Sequence, residues 1–122
     1  MATVDVAYTF MDIASYLVAS EETEPANGWY YSQWVGALAE NPSMNGAEIG
    51  EIICDTYYAG CEEVGTQDCT TLSVTDLGKV GALLEAYDAF GAEALTSACT
   101  DTAFFSEFYR VAAQSENYGG NT

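Results

Sequence analysis

Histidine is absent from the 122 residues, and Lys79 and Arg110 are the only basic side chains. Without histidine, no Ser-His-Asp or Cys-His arrangement can be assembled from this chain alone. Two bases against 19 acids give a net charge of -17, a field that repels phosphates and has no basic footprint to hold them, which argues against nucleic-acid binding. No apolar run approaches the ~20 residues of a membrane-spanning helix, and no basic region followed by an apolar one opens the chain. The sequence therefore reads as soluble, without a visible export signal. Four cysteines are present, Cys54, Cys61, Cys69 and Cys99, but no two form a C-x-x-C pair, so a structural zinc site has little support. They read either as buried thiols or as two disulfides. Phosphate-loop and Gly-x-Gly-x-x-Gly motifs are missing too, and no cofactor is expected.

What is present is apolar and acidic. A hydrophobic content of 49% in a chain of this length predicts a packed core, and residues 1–122 read as a single domain or part of one. The acidic field attracts cations, basic peptides and divalent metals among them, although it also serves solubility.

Along the chain, "TVDVAYTFMDIA" sets Val4, Tyr8 and Met11 on one helical stripe and Val6, Phe10 and Ile13 on another. A helix so apolar all round is expected to be covered on most sides. "SYLVAS" follows, short and apolar, and reads as a buried strand of the parallel type. A second helix is predicted through Tyr31, Trp34, Val35 and Leu38, stopped at Asn41-Pro42, with Trp34 in the core. Asn45 with Glu48 forms a capping-box pattern opening a third helix, whose Ile49, Ile52, Ile53 and Tyr57 share a face. "TTLSVTD" alternates as an edge strand does. Asp76 can cap a helix through Val80, Leu83, Leu84, Tyr87 and Phe90. After a break near Cys99, Thr100 or Thr102 can cap a last helix through Phe104, Phe105, Phe108 and Val111. The result is an α/β chain with about five helices and two strands, a small sheet for an independent domain. That deficit suggests part of a larger protein, cut at both ends.

The stretch "ASEETEPANGWYYSQW" is the most informative. Glu21, Glu22 and Glu24 run into Pro25, Gly28, Trp29, Tyr30, Tyr31 and Trp34, in a loop leaving the first strand at its C-terminal end, where open parallel sheets form ligand crevices. Neighbouring carboxylates could divide acid and base roles, as in glycosidases. The better reading is recognition: a carboxylate beside aromatic walls pairs with a guanidinium or ammonium while the rings stack against it. A solvated turn redirected by Pro25 and Gly28 is the plain alternative.

The segment "MATVDVAYTFMDIASYLVASEETEPANGWYYSQWVGAL" resembles the region just after the nucleophile in clostripain-like cysteine peptidases, relatives of the caspases and gingipains. Val4, Asp5, Val6, Ala7 and Tyr8 match the family's helix. Ala19, Ser20, Glu22, Thr23, Glu24, Pro25, Gly28 and Trp29 match its loop. "TTLSVTDLGKVGALLEAYDAF" and "NYGG" resemble later segments, so the likeness extends over most of the chain. It implies a caspase-like three-layer α/β sandwich with few strands and several helices in this chain, a thiolate attacking a peptide carbonyl, and cleavage after arginine or lysine. Aligned this way, the nucleophilic cysteine falls about two positions before Met1 and its histidine partner earlier still. None of the four cysteines here matches it, and no catalytic residue is assigned.

On that basis Ser20, Glu22, Glu24 and Trp29 become candidate substrate-binding residues of a basic-side-chain pocket. The expected partners are Arg- or Lys-containing peptides and proteins and the remainder of the peptidase chain. The resemblance also implies a bacterial protein, exported or at the cell surface. The competing reading is a non-catalytic acidic binding or scaffold module using Ca²⁺, although no Asp-x-Asp-x-Asp-Gly loop is present to gather the six to eight oxygens the ion takes.

Overall fold

A computed structural model of the chain describes residues 2–115. They fall into two compact units dividing between Val80 and Gly81. In the first, α1 (Val4–Phe10), β1 (Tyr16–Ala19), α2 (Tyr31–Glu40), α3 (Gly46–Val64) and β2 (Ser73–Asp76) follow in order. Single 3₁₀ turns lie at Gln67–Cys69 and Leu77–Lys79. The second unit holds nearly all of α4 (Val80–Thr100) and the whole of α5 (Phe104–Ala112). The fold is mixed α/β and rich in helix, with one two-stranded sheet among the described residues.

The sheet corrects one expectation. β1 pairs with β2 antiparallel, Tyr16 opposite Asp76 and Val18 opposite Val74, so β1 is not a strand of the parallel type. Its four residues are half-buried: α3 packs on both strands, and two strands offer no wider sheet in which both faces would be covered. The crevice rule for open parallel sheets consequently does not locate the loop that follows β1.

α3 organises this unit. Asn45 Oδ1 accepts from the backbone N–H groups of Ala47 and Glu48, and Glu48 Oε2 accepts from Asn45 N, completing the capping box. The helix ends where Gly65 turns left-handed at φ +75, a conformation that spares glycine the Cβ clash other residues meet. Between these ends, small residues set the approach to the sheet. A Cβ on Gly46 would stand 2.5 Å from the Tyr16 ring, and one on Gly50 would stand 2.9 Å from Val74. Ile53, Tyr57 and Cys61, at i, i+4 and i+8, share the buried face. With Ala7, Leu77 and Val80 they form the core.

α1 is shorter and barer than its composition predicts. Thr3 Oγ1 caps it by accepting from Val6 N, and it packs against the turn at Leu77–Lys79. Only Ala7 is buried, however, while Tyr8 is 59% and Ile13 76% exposed. Both apolar stripes are largely exposed, Val4 and Tyr8 on one and Phe10 and Ile13 on the other. At the other end of the chain, α4 runs without a break through Cys99 to Thr100. The α5 entrance uses neither Thr100 nor Thr102: Asp101 Oδ1 accepts from Ala103 N. "NYGG" lies outside the described residues.

Candidate functional site

The loop from Ser20 to Tyr30 is tied down by polar contacts to distant sequence. Ser20 is buried, and its Oγ donates to Glu22 O, accepts from Glu22 N and lies 2.8 Å from Thr71 Oγ1. Glu22 N also donates to Thr71 Oγ1 at 3.2 Å. Glu21 accepts from the Ser73 hydroxyl on β2. Farther along, Asn27 Nδ2 donates to Cys61 Sγ at 3.5 Å, and Tyr30 OH donates to Glu63 Oε2 at 3.1 Å. Tyr30 lies over Gly60, where a Cβ would stand 2.2 Å from its ring. The loop is therefore clamped at its start to β2 and at its end to the C-terminal half of α3.

Between the clamps, the Trp29 indole N–H donates to Glu24 Oε2 at 2.9 Å. Trp29 stacks on Tyr31 with ring centroids 6.4 Å apart, and Tyr31 contacts Trp34 at 5.6 Å. The aromatic run predicted from the sequence is thus a continuous surface. Trp34 is half-buried rather than a core residue, and its indole N–H is enclosed without a partner. Glu24 stands in water beside the Trp29 edge. Among the described residues the ion pair formed is Arg110 with Glu107, and no described cation is paired with Glu21, Glu22 or Glu24.

The four candidates separate by environment. Glu24 and Trp29 touch each other and face outward. Glu22 is half-buried, its backbone held by Ser20 and Thr71. Ser20 is turned inward, and its hydroxyl is fully used in holding the loop. Thr71, Asn27, Tyr30 and Glu63 were not foreseen. Their partners lie 33 to 51 positions away, and a polar residue in a loop carries no sequence signal of a tie at that distance.

Beneath the loop, burial pushes the Cys61 thiol up, but the Thr70, Asn27, Thr66 and Tyr57 groups around it outweigh this and bring it below its ordinary value. Tyr57 is pushed up to about 12, chiefly by burial, then by Cys61 and Glu24. Its hydroxyl approaches Cys61 and Thr70 but meets hydrogen-bond geometry with neither. Burial, followed by Asp55 and Glu21, raises the Cys54 thiol. All four cysteines are free. Cys61 is enclosed and has no base beside it, so it cannot meet a substrate as a nucleophile. Among the described residues, no three Cys, Asp or Glu side chains are placed to hold a metal ion, and no helix is long and apolar enough to cross a membrane.

The described residues thus form a helix-rich α/β scaffold that presents an acidic and aromatic loop. The model of the Clostripain family matches residues 1–122, and the chain belongs to that family of cysteine peptidases. No curated protein and no solved structure matches it.

Proposed function

We propose that this chain supplies the substrate-binding loop and part of the core of a cysteine endopeptidase that cleaves after arginine or lysine. The Cys-His dyad lies in the rest of the enzyme, whose catalytic domain is a caspase-like sandwich, and this piece alone is inactive. Membership of a peptidase family supports proteins as substrates. The observation that carries the basic specificity is Glu24: its carboxylate is fixed by the Trp29 indole and pairs with no cation among the described residues. One oxygen accepts the indole N–H and the other is open to a guanidinium or ammonium, which the ring can flank. Glu22, two residues back on a backbone locked by Ser20 and Thr71, adds negative potential at the same place.

Two measurements test this reading. The purified chain is expected to hydrolyse a peptidyl-arginine reporter no faster than buffer, and a rate above the blank would refute its inactivity. In the complete peptidase, Glu24→Gln is expected to lower kcat/KM for basic substrates by about 1 to 3 kcal/mol, the scale of a charge-assisted hydrogen bond. An unchanged value in both Glu24→Gln and Glu22→Gln would place the pocket elsewhere.

A further inference from the structure

We propose that the second unit docks a basic amphipathic helix of a partner protein in the furrow between α4 and α5. The furrow has a volume of about 440 Å³ and a floor of Phe90, Phe104, Phe108 and Val111. Phe104 and Phe108 stack with centroids 5.8 Å apart. Phe104, Phe108 and Val111 recur at i, i+4 and i+7 on α5, while Phe90 and Ala94 recur at i and i+4 on α4. Two apolar ridges thus face one groove, the form into which the apolar stripe of a third helix packs. The floor is open to water: Phe90 is 58% and Phe108 48% exposed, a contiguous apolar surface of the kind that marks interaction sites.

Charge selects the occupant. Glu93, Asp101 and Glu107 line the furrow's edge. Residues 81–115 carry five acids, Glu85, Asp88, Glu93, Asp101 and Glu107, against Arg110 alone, and Arg110 is already paired with Glu107 at 2.8 Å. The rim charges left without an ion pair among the described residues, Glu93 and Asp101, are therefore both negative. A second copy of this chain would bring the same acids and another net charge of -17 to the contact, which like-charge repulsion opposes. A helix with leucine-like residues at i, i+3, i+4 and i+7 and lysine or arginine on its flanks meets both the floor and the rim. This site is independent of the Glu24 loop.

The test is a fluorescence-anisotropy titration of the purified chain into a labelled Leu/Lys amphipathic peptide of about five helical turns, beside a Leu/Glu peptide of the same pattern. Saturable binding of the Leu/Lys peptide, one per chain, is expected, with none of the Leu/Glu peptide. Phe108→Ser, at an exposed position that leaves the fold intact by circular dichroism, is expected to weaken binding at least about tenfold, as loss of a central aromatic contact does. Glu93→Gln is expected to weaken it less, as rim charges do. Binding unchanged by Phe108→Ser would reduce the effect to general attraction to an acidic surface and overturn the proposal. So would the absence of saturation, or a dimer in sedimentation velocity that Phe108→Ser converts to monomer, which would make a second copy the occupant.

Discussion

Residues 81–115 are more apolar in sequence than residues 2–80, yet every buried apolar side chain of the described chain, Ala7, Ile53, Tyr57, Cys61, Leu77 and Val80, belongs to the first stretch. In the second, Leu83, Tyr87, Phe90, Leu95, Phe105 and Phe108 all face water. The first unit has a sheet, glycines that let α3 approach it, and hydroxyl and amide groups joining the loop to β2 and α3. The second has two helices whose apolar faces are open among the described residues. Apolar content does not make a core; close approach and satisfied polar groups decide which apolar residues are enclosed.

This contrast predicts a steep gradient of mutational cost. The largest effect is expected at Tyr57, fully enclosed on α3: Tyr57→Ala should lower the free energy of unfolding by about 3 to 5 kcal/mol, as truncation of buried aromatics does. Tyr57→Phe removes a hydroxyl that has no partner and should cost almost nothing at neutral pH. In alkali the two proteins part company. Because burial holds the Tyr57 pKa up to about 12, the folded chain keeps its proton after the unfolded chain, at its ordinary 10.0, has lost it. That contribution is fully present below pH 10 and is lost as pH rises towards 12. Tyr57→Phe should flatten this fall, and urea titrations at several pH values compare the two proteins directly.

Ser20→Ala comes next. It leaves the Glu22 amide and Thr71 without the buried hydroxyl they share, at a cost of about 1 to 3 kcal/mol. Asn45→Ala, which removes the capping box of α3, should cost about 1 kcal/mol. At the bottom, Phe108→Ser in the second unit should stay within about 0.5 kcal/mol of the unchanged chain, as exposed positions do. Urea unfolding of all four variants sharpens the comparison if this order holds. A Phe108→Ser cost equal to that of Tyr57→Ala would break it.

Much of this was legible in the sequence. The capping box at Asn45 and Glu48, the stop at Asn41 and the five helices follow from local periodicity and capping chemistry, which act within a few residues; Asp76 does cap, but the 3₁₀ turn Leu77–Lys79 that leads into α4. The aromatic and acidic loop was legible as composition, and its likeness to the clostripain family agrees with the match over the whole chain. What local pattern could not give was pairing across the chain. "SYLVAS" is apolar enough for a doubly covered strand, but its neighbour is the antiparallel "SVTD", so it is only half covered. Ser20 became a pocket candidate through the family resemblance. Its hydroxyl is engaged within the protein, by Glu22 two residues on and by Thr71, 51 positions away, and the second tie has no local signal.

The central claim is that Glu24, held by Trp29, receives a basic side chain. The most direct measurement is the tryptophan fluorescence of the purified chain titrated with an acylated arginine amide and with its uncharged citrulline counterpart, in the unchanged chain and in Glu24→Gln. The account predicts a saturable change for arginine, absent with citrulline and lost in Glu24→Gln. Equal responses to the two ligands, or an arginine response that survives Glu24→Gln, would contradict it.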